Sequence, residues 1–233
     1  MTGFHRETLS RLEARVGELK RHFQECLAAF HDSELFSGPS QYFHLKTLAC
    51  RARHRSVVEA FNDDQYLDSL YATLTAWGLH RMGPGNAKLR DITEIRGSLI
   101  RHADRLGELE RLQLSELREQ HVDRVAKEVW AVLRDLRITR AKAFLVANSK
   151  ALHHALPGLL PPIDREYTLS FFFGNTTVDG REEEAFHAMF PSFWEIARSK
   201  KAVIEDSLRR KGWNSSETKV IDNAIVGYWR RAG

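Results

Sequence analysis

Residues 147–168 read ANSKALHHALPGLLPPIDREYT. They gather Lys150, His153, His154 and Asp164 around a proline-punctuated loop, in a chain that otherwise reads as plain amphipathic helix. A lysine amine can attack a sugar carbon, a carboxylate can balance a developing positive charge, and imidazole moves protons near neutral pH. The local grammar predicts a tight turn at ANSK. There Asn148 tolerates a left-handed backbone, and Ser149 caps a helix beginning at Lys150 or Ala151. That helix ends near Pro157-Gly158, the later prolines fix an extended path, and Asp164 caps the next helix. On this reading Lys150 and Asp164 can face a common cleft. On a purely structural one, Asp164 is a cap with Arg165 as its surface partner, Lys150 is solvated, and His153 and His154 fill space under the prolines.

Other chemistries find less support. Neighbouring histidines on a helix point about 100° apart and chelate one ion poorly. Cys26 and Cys50 form no CxxC and too small a set for a disulfide framework, so a reduced, cytoplasmic chain is expected. Neither GxxxxGK[ST] nor GxGxxG occurs, which argues against the usual nucleotide folds. Nothing in the sequence calls for a metal or cofactor. Arg96 and His102, in RGSLIRH, have the one-helix spacing of some helical nucleases, a pairing that chance also produces among 35 lysines and arginines and 11 histidines. A basic run at Arg51, Arg53, His54 and Arg55 would face phosphate or only solvent. Trp77, His80, Arg81 and Lys88 would line a cleft or simply finish a buried helix.

The elements that must position these residues are helical. Leu9, Leu12, Val16, Leu19, Phe23, Leu27 and Phe30 recur every three or four positions and predict one helix over 6–31. Further helices follow at 41–55, at 63–79 behind an acidic first turn, after the Gly-Pro-Gly at 83–85, and as one or two charged helices over 106–136. Phe171 to Phe173 is an apolar run ended by Gly-Asn, read as a loop bounded by buried aromatics. Helices resume at 182–200, 202–211 and 216–231, the last behind a serine cap. The sum is an all-α fold of roughly nine or ten helices. It forms a single globule or two lobes joined by the proline-rich loop, about 64–155 in one and 1–63 with 165–233 in the other.

The order helix, tight turn, lysine, helix, then Pro-hydrophobic-Asp resembles the helix-hairpin-helix DNA glycosylase superfamily. FLVANSKAL (144–152) would overlay its hairpin, PIDREY (162–167) its aspartate segment, and LYATLTAWGLHRMGPGNAKLRDITEI (70–95) its early pocket-facing helix. Val146 and Asn148 stand where the family has hairpin glycines. The resemblance implies DNA as partner, with Lys150 as nucleophile and Asp164 as catalytic carboxylate. Asn148, Ser149, Arg81, Lys88 and Arg165 would contact nucleic acid, and Trp77, His80, His153 and His154 would line the base pocket.

Composition permits this without requiring it. A net charge of +4 with pI near 9.1 arises from 35 basic against 31 acidic residues, a mild excess that tolerates anionic partners. No apolar run approaches the roughly 18 residues of a membrane span, and the charged N-terminus does not read as a signal peptide. The sequence therefore supports a nucleic-acid-binding helical protein, with base excision as its chemistry if it is an enzyme. The alternative is a non-catalytic structural or interaction protein. Oligomeric state is not legible.

Overall fold

A computed structural model describes Phe4 and residues 6–80, 87–178 and 180–231. The described residues form thirteen α-helices, two π-helical turns and one 3-10 turn. The all-α expectation holds, but with more helices than nine or ten, because long predicted helices break into pieces. The stripe over 6–31 is interrupted at His22 (φ −111°, ψ 26°), giving α1 (Arg6–Arg21) and α2 (Phe23–Asp32). The Phe171–Phe173 run, expected as a loop, is a short helix stopped by left-handed Gly174 (φ 71°). The Gly-Pro-Gly stop at 83–85 and Arg81 lie outside the described residues.

The chain forms two compact units, and neither is continuous in sequence. The first comprises residues 1–35, 113–130 and 163–233; the second comprises 36–112 and 131–162. This differs from the lobes expected from sequence, which put 36–63 with the C-terminal part and 113–130 with the middle part. Side-chain packing decides the grouping. The helix Pro39–Ala52 packs on Asp64–Leu74 and Leu145–Ala155, whereas the 3-10 turn Leu114–Glu116 packs on Glu182–Ser199.

In the first unit α1 and α2 pack with the helices numbered in chain order α10 (Ser170–Phe173), α11 (Glu182–Ser199) and α13 (Glu217–Arg231), while α12 (Lys201–Arg209) packs on α11 and α13. The core is aromatic: Phe23, Phe30, Phe171, Phe172, Phe186, Phe190 and Phe193 are almost wholly buried. Arg15 donates to the carbonyls of Ser170 and Phe171 (2.7 and 2.8 Å), at the end of the short α10, where Ser170 O also accepts from Gly174 N. Helix α13 opens as the sequence predicts, with Ser216 Oγ accepting from Lys219 N. Its Gly227 lies against the Cys26 carbonyl of α2, so the two backbones touch with no side chain between them.

The second unit contains α3 (Pro39–Ala52), α4 (Val57–Asn62), α5 (Asp64–Leu74), α6 (Ile92–Arg101), α7 (Ala103–Leu109), the end of α8 (Glu119–Asp135) and α9 (Leu145–Ala155). Its helix starts are locally encoded, since Ser56, Asp63 and Asp91 each accept from a backbone N–H in the first turn of α4, α5 and α6. Helix α5 widens into a turn at Thr75–Leu79, where Gly78 takes φ 80°. A short antiparallel bridge pairs Leu89 with Thr139, with Arg90 N donating to Ile138 O and Arg140 N to Lys88 O.

Candidate functional site

The predicted turn at ANSK is not present. Leu145–Ala155 is one continuous helix, and Asn148 and Ser149 lie inside it at 0% exposure. Asn148 Nδ2 donates to the carbonyls of Leu133 and Leu136 (2.7 and 2.9 Å), and Ser149 Oγ donates to Val146 O. The helix continues because Asn148 spends its amide on carbonyls at the end of α8 instead of on its own backbone. Neither residue can face a phosphate, so both leave the nucleic-acid set.

His153 and His154 do form a constellation, together with a residue the sequence reading missed. His44 on α3 places Nδ1 2.9 Å from His154 Nε2, while His154 Nδ1 lies 2.8 Å from Lys150 O and His153 Nδ1 lies 2.9 Å from Leu160 O. A carbonyl only accepts, so the Nδ1 atoms of His153 and His154 carry hydrogen; in the neutral pair His44 Nδ1–H then donates to His154 Nε2. Trp77 stacks on His44 at 5.2 Å and donates Nε1–H to Ser40 O, and Lys150 Nζ lies 5.8 Å from the Trp77 ring. The three histidines are fully buried and Lys150 is nearly so. The cluster thus holds an amine and oriented imidazoles in the interior of the second unit, against a half-buried indole.

The other expected residues are dispersed. Asp164 is the helix cap foreseen, with Oδ1 accepting from Glu166 N and Tyr167 N (2.8 and 3.2 Å); it belongs to the first unit and Lys150 to the second. Arg165 is exposed in the first unit. His80 is exposed and its Nδ1 meets Thr75 O at 3.2 Å, outside the histidine cluster. Half-buried Lys88 contributes its carbonyl to the bridge with Arg140. The basic run at 51–55 is largely absorbed internally: Arg51 pairs with Glu110 (2.7 Å), Arg53 donates to Gln65, and His54 pairs with Asp63 (2.8 Å).

A second concentration of charge was not foreseen. The C-terminal ends of α6 and α8, the Leu89–Thr139 bridge and the start of α9 enclose a cleft of about 690 Å³. Arg90, Arg101, Arg134, Arg137 and Arg140 line it, against one carboxylate, Asp135; His102, Thr139 and Phe144 complete the polar and aromatic wall. Arg134 pairs with Asp135 (3.0 Å) and Arg90 with Glu94 (3.0 Å) and Thr139 O. Among the described residues the exposed Arg101, Arg137 and Arg140 side chains make no hydrogen bond or ion pair, although Arg140 acts electrostatically on the Asp91 carboxylate. Burial holds the His102 imidazole below its ordinary range, partly offset by the Asp135 carboxylate. Arg134 in turn holds the Asp135 carboxyl low. Sequence spacing hid this cleft because its residues come from four elements between positions 90 and 144. Arginines at helix ends also read as ordinary complements to the helix dipole.

Comparison with protein families, with curated proteins and with solved structures finds no match to this chain. Among the described residues no helix is long and apolar enough to cross a membrane, and no group of three or more His, Cys, Asp or Glu side chains is placed to hold a metal ion.

Proposed function

We propose that this protein binds nucleic acid and that the arginine cleft of the second unit is its phosphate-binding face. The observation that carries the reading is the lining itself: five arginines against one carboxylate, with Arg101, Arg137 and Arg140 exposed and making no hydrogen bond or ion pair among the described residues. Guanidinium groups recognise phosphate in bidentate geometry and remain charged at all accessible pH. Fluorescence anisotropy with labelled DNA and RNA oligonucleotides, titrated across salt, tests it. Three to five phosphate contacts give a log–log salt slope of roughly −2 to −4. The triple variant Arg101→Glu, Arg137→Glu, Arg140→Glu should lose at least about 100-fold in affinity. Salt-independent binding, or unchanged affinity of the variant, refutes the assignment.

Base excision is a second reading, favoured by Lys150, a nearly buried amine beside Trp77 and among His44, His153 and His154. In that chemistry the Lys150 amine, in its neutral form, attacks C1′ of an extruded nucleotide while the base leaves with the glycosidic electron pair and takes up a proton. Borohydride trapping of a covalent adduct on damaged duplexes, lost in Lys150→Gln, would support it. Absence of any adduct assigns the cluster to the alternative, a structural seam in a non-catalytic protein.

A further inference from the structure

We infer that the arginine cleft takes single-stranded nucleic acid, one nucleotide at a time in its interior, with the base against Phe144 and the flanking phosphates on Arg101, Arg137 and Arg140. This inference rests on the proposal that the cleft is the nucleic-acid face, and it goes on to name the form of the ligand. Shape supplies the first argument. A concavity of about 690 Å³ has the size of a small-molecule pocket, which suits one or two nucleotides, whereas a duplex presents a broad convex cylinder that meets a flat or ridged surface. The lining supplies the second. Proteins that hold single strands combine a cationic track for the backbone with an aromatic face for the bases, and Phe144, the residue before the first turn of α9, brings an aromatic side chain into a wall otherwise dominated by arginine. His102 adds the third. It lines the same cleft with one ring N–H held by the Asp135 backbone carbonyl, which leaves the other ring nitrogen to accept from a base edge.

The test compares ligands of equal length on the full chain: a twelve-nucleotide single-stranded DNA, the same sequence as RNA, and the corresponding DNA duplex. The single strands should bind at least about ten-fold tighter than the duplex, and whichever of DNA or RNA binds better identifies the sugar preferred. Phe144→Leu keeps an apolar side chain and removes the stacking surface. It should weaken single-strand binding by roughly 5- to 100-fold, the range for one base stacked on an aromatic ring. Phe144→Trp should retain tight binding and show indole fluorescence quenched by the single strand, a readout that holds even if the leucine variant folds poorly. Equal binding of duplex and single strand, or a Phe144→Trp signal that does not respond, overturns the inference. If Arg137→Glu with Arg140→Glu still abolishes that binding, the broader phosphate-binding proposal survives. No binding of any of the three ligands overturns both.

Discussion

Gly227→Ala separates local preference from tertiary packing in opposite directions. Gly227 sits inside α13, where alanine is the better helix former by about 1 kcal/mol. A Cβ there would stand 1.8 Å from the Cys26 carbonyl oxygen, 2.7 Å from its carbon and 3.1 Å from Phe30 N, all backbone atoms of α2. Because Cβ contacts below 3.0 Å are essentially not found, the two helices must part by at least about 1.2 Å. Rotamer changes cannot relieve a clash with backbone. Overpacking costs typically 1–3 kcal/mol and here reaches about 4, since separation also loosens Phe23, Cys26, Leu27 and Phe30 from Val220, Ile221, Ala224 and Ile225. Subtracting the propensity gain leaves about 3 kcal/mol of destabilisation, a fall in Tm of roughly 6–12 °C for a chain of this size. Gly17→Ala is the matched control in the same unit. It lies inside α1 with nothing within 4 Å of an added Cβ, so the same substitution should raise Tm by roughly 2–4 °C. Thermal melting by far-UV circular dichroism measures both. If Gly227→Ala melts at or above the wild type, the close α2–α13 approach is not present in the folded protein.

Lys219 and Asp222, both under a tenth exposed, form a 2.5 Å ion pair beside Trp213. Lys219→Met should therefore cost about 3–5 kcal/mol by stranding a buried carboxylate, and Lys219→Met with Asp222→Leu should melt higher than Lys219→Met alone. Asn148→Ala leaves the Leu133 and Leu136 carbonyls short of a donor and should lower stability by about 2–3 kcal/mol in chemical denaturation. His102 should titrate below 6.5 by NMR in the free protein, as burial depresses it. If phosphate enters the cleft, bound oligonucleotide should raise that midpoint. Affinity then increases as pH falls through the bound-state value and levels off below the free-state one. A midpoint unmoved by ligand places the phosphate elsewhere. Cys26, its thiol pushed up to about 11 by burial, and buried Cys50 should resist a thiol reagent at pH 8 until denaturant is added.

What the sequence discloses follows from the range of the forces involved. Helices at 39–52, 64–74, 182–199 and 217–231 show in the period of their apolar residues, and Ser56, Asp63, Asp164 and Ser216 act on amides two or three positions away. These are short-range effects. The ANSK turn fails because Asn148 finds carbonyls twelve and fifteen residues upstream, which no local preference reports. His44 lies 110 positions from His154, so its part in the histidine cluster carries no spacing signature. The arginine cleft is hidden for a related reason: residues spread from 90 to 144 become neighbours only when α6, α8 and the Leu89–Thr139 bridge are assembled.

The interleaving of the two units also sets an order of birth on the ribosome. The second unit has all of its segments once Pro162 is made, so its core can close while synthesis continues. The first cannot, because α2 must wait for α13, whose first residue is added roughly 185 residues after α2 ends. At the usual 5–20 residues per second that is about ten to forty seconds with Phe23, Cys26, Leu27 and Phe30 lacking their final partner. Nascent chains of this protein therefore carry α1 and α2 as a sticky helix pair until α13 is made. Early release, by a stop codon before 217, should yield aggregation and chaperone capture in place of a smaller folded product.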